Sequence, residues 1–511
     1  MAARPLQLKA LTNAHVYCYN PQTKTYARSG GLVIDGPKIV SCDPSDAGAD
    51  VETVDVQGAT VLPAFADCHV HLTDTGFFLG ARNLNGARSY DEFAAAVAAL
   101  PRERFVFAGQ YDESVWRDRR NADAAPLEGA FPDSYAMLVR IDGHSCMVNR
   151  KTLHWLNLAN DIAGIERNQA GEPTGKLLLD ANWQAQKRFM EELPLSVRRD
   201  AEARATGVAL QRGCLHLHVQ LVGFAREQYA AEIKALPELG KAKWYPKICE
   251  PDPELARDQN LPYIGGDIFL DGSIGSCTAA VSKPFLTPAS GAPGDGILNF
   301  RDDELYAFFS RAHTLGVSAG VHAIGDRAIE QCIATWERVL GGKPSPNGFR
   351  PFIEHFEIAR DDHIERCARL GIYLSMQPQF DLLWGGDGKL YERRLGADRM
   401  RKMNALGRAE RAGAILCGGD DSPVCELSPL LGMHAAVNHN QPAERLTPQE
   451  ALTMYTCNAA KLAHAEDRTG MIAPGYAADL AVLDGDPFEG ADFAQCRVLA
   501  TWRDGEAVYE A

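Results

Sequence analysis

Apolar residues along this chain gather into short runs that repeatedly end on a polar or charged side chain. "TVLPAFADCHVH", "YAMLVRID", "CLHLHVQ", "DIFLDG", "VSAGVHA", "RPFIEHF", "IYLSMQP" and "GAILCGGD" follow this pattern. Runs of this length, rich in β-branched residues, predict buried strands. Between several of them lie stretches with helical spacing. "DDELYAFFSRAHTLG", "DRAIEQCIATWERVLGG" and "DDHIERCARLG" each start near an acid and stop at glycine, as helices do. "LTPQEALTMYTCNAAKLA" predicts one more, with Thr447 as N-cap, Pro448 in the first position and Glu450 completing a capping box. "FAAAVAAL" reads as a helix too short to cross a bilayer.

Repeated strand–helix units predict an α/β fold with a parallel sheet, specifically a (β/α)8 TIM-like barrel. The two ends read differently. "GGLVIDGPKIVSC" near the start and "RVLATWRDGEAVYE" at the end are each two apolar runs around an Asp-Gly turn, a hairpin pattern. The expected organisation is therefore a small β-sandwich built from residues 1–62 and 470–511. The barrel occupies 63–469, with an inserted subdomain at about 75–200 that uses the surplus length.

Composition narrows the function classes. Of 511 residues, 46% are hydrophobic and 23% charged, and the net charge is −15, which argues against a nucleic-acid partner. No stretch of secretory or membrane-spanning length opens the chain, so the expectation is a cytoplasmic protein with no membrane partner. The 13 cysteines are scattered singly, with no Cys-x-x-Cys pair, and predict neither a disulfide framework nor a zinc ribbon.

Chemistry in a parallel barrel collects at the C-terminal ends of the strands. His69 and His71 close the first run, His322 closes "VSAGVHA", His355 closes "RPFIEHF", and Asp420 and Asp421 close "GAILCGGDD". Strand residues two apart face the same side, so His69 and His71 can point together into a barrel mouth. Imidazole suits zinc, and a carboxylate can complete an open site. Alone, each of these residues is ordinary, and a second His-x-His at His216-Leu217-His218 shows how cheaply the motif arises. The set of four histidines and an aspartate is what points to a metal.

"FADCHVHL" resembles the first-strand motif of the metal-dependent amidohydrolase superfamily. The later segments resemble its YtcJ-like branch, amidohydrolase family 3. They are "DGHSCMVN", "GEPTGKL", "DGSIGSCTAA", "HAIGDRA", "RPFIEH", "GGDDSPV" and the closing "TGMIAPGYAADLAVLDGDP". They occur in family order over nearly the whole chain. The resemblance implies a hydrolase of a carbon–nitrogen bond in a small amide-like, N-acyl or N-formyl substrate. The alternatives are a deaminase or decarboxylase on the same scaffold, or a metal-free structural homologue.

The resemblance implies that His69, His71, His322 and His355 bind metal, and that Asp421 is both ligand and general base, with Asp420 as the alternative. It implies one or two Zn2+ ions, with Mn2+ or another divalent metal in their place, and a homodimer. Where relatives carry a lysine before "DGS", this chain has Asp267. Either Asp267 takes part as a ligand or the site holds one tightly bound metal. His144 and His218 are candidates to bind substrate or donate to the oxyanion, and Asp112 and Trp116 to line the pocket. Asp326 is expected to orient a ligand. Cys277, where relatives often have arginine, is expected to alter a pocket contact.

Overall fold

The computed structural model describes residues 8–48, 51–79, 82–159, 161–288 and 294–511. Residues 1–7 of the expected sandwich lie outside the described residues. The fold is mixed α/β, and parallel strands carry its middle. In chain order these are β1 (Phe65–Val70), β2 (Cys214–Leu221), β3 in two pieces (Lys243–Trp244 and Lys247–Ile248) and β4 (Tyr263–Phe269). β5 (Ser318–Ala323), β6 (Phe352–His355), β7 (Tyr373–Met376) and β8 (Ile415–Gly418) follow. β1 pairs with β2, both pieces of β3 pair with β2, and β4 to β8 pair in order, all parallel. Just past β8, Asp421 N donates to His69 O (2.8 Å) and His71 N donates to Ser422 O (2.9 Å).

Every residue of β1, β2, β5, β6 and β7 is buried, which explains their unbroken apolar runs. The helices on the outside follow the expected spacing. In Asp326–Leu340, Ile329, Cys332, Ile333 and Trp336 are buried on one stripe, and Gly341 ends the helix at φ 62°. The capping box at Thr447 and Glu450 is formed, but the helix is shorter than its pattern suggests. It stops at Met454, and a second helix, Cys457–Leu462, starts beyond Thr456.

Two apolar runs are used differently from their reading. "TVLPAFADCHVH" is two strands: Thr60–Pro63 pairs with Leu480–Leu483 in a terminal sheet, and β1 begins only at Phe65. Pro63, which lacks an N–H, marks the changeover. "YAMLVRID" forms Tyr135–Arg140, which does not join the parallel series. It lies in a separate five-stranded sheet with Phe105–Tyr111, Ser145–Val148, Ile165–Arg167 and Pro173–Leu178. In its place β3 enters the series, too short to show any periodicity.

Both chain ends meet in one six-stranded sheet, which holds His15–Asn20, Thr60–Pro63, Leu480–Leu483 and Val498–Arg503. A four-stranded sheet beside it contains Leu8–Thr12 and the hairpin of Leu32–Asp35 with Lys38–Ser41. One apolar cluster draws on both sheets, including Leu11, Leu32, Ile34, Val61, Leu480 and Trp502. Among the described residues no helix is long and apolar enough to cross a membrane.

Candidate metal centre

The strand ends converge. His69 Nε2 lies 3.3 Å from Asp267 Oδ2 and 3.4 Å from Asp421 Oδ1. His71 Nε2 approaches the same two oxygens, at 3.0 and 3.1 Å. His355 Nε2 is 3.7 Å from the other Asp267 oxygen. His69, His71 and Asp267 each offer a donor atom within 4.8 Å of the others, and so do His69, His355 and Asp421. His322 stands beside them, its ring centroid 4.5 Å from that of His355.

The backbone is bent to achieve this. His355 and Asp421 both have positive φ, 73° and 53°, a conformation that L-residues rarely adopt and that is concentrated at functional sites. Gly419 lets β8 approach closely, since a Cβ there would lie 2.8 Å from His69 N.

Electrostatics mark the same atoms. Burial works against charge on His71, yet the two carboxylates beside it raise it to about 10. Burial likewise opposes ionisation of Asp267, but the charge of His69 and its hydrogen bonds to the imidazoles hold it well below the usual carboxylate range. His322, buried and next to His355, is lowered to about 3. His322 Nε2 and Asp267 Oδ1, both buried, lack a hydrogen-bond partner. Buried polar atoms are normally satisfied. Imidazole nitrogens and carboxylate oxygens that converge on one point, some of them unsatisfied, fit a divalent cation.

The rings are held from behind. His69 Nδ1 meets Glu354 Oε2 at 2.8 Å, and His355 Nδ1 meets Gln377 Oε1 at 2.8 Å. Nδ1 therefore carries the proton in both, and Nε2 faces the centre. Asp271 accepts from Ala280, Ile324 and Gly325 N–H groups and brings Oδ1 to 3.3 Å from His322 Nδ1. Asp421 faces the cluster, whereas Asp420 turns away, accepting from Gln379 Nε2 (3.0 Å) and Ser428 N (2.7 Å).

The cluster forms one wall of a cavity of about 380 Å3, which His71, Asp267, His322, His355 and Asp421 line. Trp183 stacks on Phe269 with centroids 4.4 Å apart to form an apolar face of it, and His144 packs edge-on against both rings. Burial lowers His144 to about 4, assisted by His322.

Comparison with known proteins agrees with this geometry. Residues 52–509 match the Amidohydrolase family. This chain belongs to that family. It is 28% identical over 500 residues to the putative amidohydrolase YtcJ of Bacillus subtilis (strain 168), covering 90% of this chain and 91% of that one. It is 25% identical over 513 residues to the N-substituted formamide deformylase of Arthrobacter pascens, covering 91% of each. Among solved structures it resembles an uncharacterized metal-dependent hydrolase from Pyrococcus furiosus. That match has a TM-score of 0.71 and 27% identity, over 94% of this chain and all of the other.

Not every residue singled out in this amidohydrolase reaches the cavity. His144 does. His218 does not: on β2, Gln220 takes the cavity position, and His218 lies two residues deeper, against Tyr245. Asp112 accepts from Arg140 Nη2 (3.3 Å) and Trp384 Nε1 (3.2 Å). It thus braces two lining residues without lining the cavity itself. Trp116 is packed in an apolar cluster with Val106 and Leu138, its ring 5.2 Å from that of Phe93. Asp326 anchors Ser282 rather than any cluster histidine. Cys277 does not line the cavity itself but packs in an apolar cluster whose members Ile274, Phe380 and Trp384 do.

Four residues that brace or line this site escaped the sequence reading. Glu354 sits inside "IEH" and Asp271 inside "DGS", both in quoted motifs. Glu357, which lines the cavity and accepts from Tyr391 Oη (2.6 Å), and Lys247 carried no signal at all.

Proposed function

We propose that the chain is a zinc hydrolase that cleaves an amide-like carbon–nitrogen bond of a small N-acyl or N-formyl amine. The observation that carries this reading is the convergence of His69 Nε2 and His71 Nε2 on Asp421 Oδ1, at 3.4 and 3.1 Å, on a cavity wall. His69, His71, His322, His355, Asp421 and Asp267 would hold a divalent metal, as one ion or two, which would supply Lewis acidity to the substrate carbonyl and to water. Asp421 accepts the proton of the attacking water and returns it to the leaving nitrogen. His144, neutral at pH 7, turns an N–H toward the oxygen that becomes negative. Trp183 and Phe269 exclude water from that side and accept the apolar part of the substrate.

The formyl end of the substrate range is supported by the resemblance to a formamide deformylase, at 25% identity. The same reading has the parallel strands closing between β8 and β1 into a (β/α)8 barrel over residues 63–469, with an insertion at about 75–200. The two terminal sheets form a sandwich of 1–62 and 470–511. The 13 free thiols fit a reducing, cytoplasmic setting, and the assembly is taken as a homodimer.

The test is metal content of the purified protein followed by a hydrolysis screen over N-acyl, N-formyl and cyclic amides. Amine release is expected, and ammonia or CO2 release would instead favour a deaminase or decarboxylase. Asp421→Asn is expected to lose about 10^2–10^4-fold in kcat/KM, while Asp420→Asn keeps its activity. A protein that neither contains nor binds zinc or manganese would sink the proposal.

A further inference from the structure

Lys247 lies on the second piece of β3 with 1% of its surface exposed, a rare state for lysine unless it is paired. Its ammonium donates to Cys68 O (2.9 Å) and to Glu354 Oε1 (2.5 Å), and faces the Phe352 ring at 4.8 Å. These contacts use its donors on groups next to the metal centre. Cys68 is the residue before His69, and Glu354 is the residue before His355.

The Glu354 carboxylate is shared between two partners. One oxygen takes Lys247, and the other accepts from His69 Nδ1 at 2.8 Å. With Glu354 fully buried, its carboxylate plane is fixed at both oxygens. A chain Lys247–Glu354–His69 therefore ends at the Nε2 that faces Asp267 and Asp421. Lys247 has no atom on the cavity lining and reaches the His69 ring through this chain. It also bonds β3 to the backbone of β1, the strand that carries His69 and leads to His71.

We propose that Lys247 is a positioning residue for the metal centre. By fixing Glu354 it holds the His69 ring with Nε2 inward, and so sets the affinity for a divalent ion. Groups that orient ligating histidines typically control metal affinity by about 10–100-fold. This inference rests on the metal-site reading above. The competing role is purely structural: Lys247 would then neutralise Glu354 for folding and leave metal affinity untouched.

The experiment measures the zinc dissociation constant of metal-stripped, full-length protein by competition with a chromophoric chelator. The variants are Lys247→Met, Glu354→Gln and the double substitution. Each single variant is expected to bind zinc about 10–100-fold more weakly. The double variant is expected to match Glu354→Gln within a few-fold, because Lys247 works through that carboxylate. Thermal stability should fall in Lys247→Met, which strands a buried charge, and recover in the double.

Wild-type affinity in Lys247→Met, with only a lower Tm, would overturn the proposal. So would losses that multiply in the double variant, since Lys247 would then act by another route. If Lys247→Met does not fold, the double variant, free of buried charge, gives the answer: zinc binding as tight as wild type overturns the chain. Zinc binding absent from the wild type would bring down the metal-site reading itself, and this inference with it.

Discussion

The chain contains the same three-residue pattern twice, on strands that lie side by side. His69-Val70-His71 ends β1, and His216-Leu217-His218 runs through β2. In the parallel register His216 sits opposite Ala66, and Val70 sits opposite Val219. The second motif therefore lies two to three residues deeper, on the order of 7–10 Å along the strand. At the upper level His69 and His71 converge with Asp267 and Asp421 at the cavity wall. At the lower level His216 meets Tyr245 Oη (3.2 Å) and Thr469 Oγ1 (3.2 Å). His218 meets nothing polar: neither ring nitrogen has a partner. Depth along the strand, not the motif, separates a candidate ligand pair from a structural one.

The largest effect separates the two levels outright. His69→Ala should strip the protein of tightly bound metal and of activity, because it removes an atom common to both candidate ligand groups. His216→Ala should keep its metal and lose only stability, by about 1–3 kcal/mol, through the polar partners it strands. Elemental analysis beside chemical denaturation reads both. Equal metal loss in the two variants would erase the distinction.

This comparison also shows what a sequence can reveal. The four histidines and Asp421 were legible because each closes an apolar run, a local property. The depth of His218 was not, because it depends on which strand pairs with which and in what register. Tyr135–Arg140 has the same apolar pattern as the strands of the parallel series but lies in the separate five-stranded sheet, a fact of long-range pairing. Lys247 sits in "WYPKICE" on a strand piece of two residues, too short for any period to show. The role proposed for it runs through Glu354, more than a hundred residues away in sequence. Resemblance alone favours Asp421 over Asp420, and it is the turn after β8, with Asp421 at φ 53°, that sends one to the cluster and the other to Gln379.

The next effect is one of pH. Burial first, with Lys243 also contributing and Asp479 opposing, lowers His216 to about 4. The unfolded chain takes up this proton near pH 6.5, before the folded protein does. Stability from His216 is therefore full above about pH 6.5 and is lost as pH falls toward 4, at about 1.4 kcal/mol per unit. His216→Gln cannot take the proton. It should flatten the acid side of a stability–pH curve by about that slope, measured by urea unfolding of metal-stripped protein. A curve parallel to wild type between pH 6.5 and 4 would show that the lower histidine is not held neutral.

The smallest effect tests the strangest residue. His218 is 1% exposed and borders a space of only about 10 Å3 with Ala64, Ala66 and Tyr245. An unpartnered buried imidazole contributes a desolvation penalty and no hydrogen bond. Replacing it with a hydrocarbon of similar bulk should therefore cost little, because removing an unsatisfied polar group offsets imperfect packing. His218→Leu is expected to change stability by less than about 1 kcal/mol in either direction, with metal content and activity unchanged. The same substitution at His71 should abolish metal binding, although the two residues share a motif and adjoining strands. A loss above about 2 kcal/mol at His218, or any loss of metal, would mean that the lower level takes part in the site after all. The contrast between the two motifs would then have to rest on something other than depth.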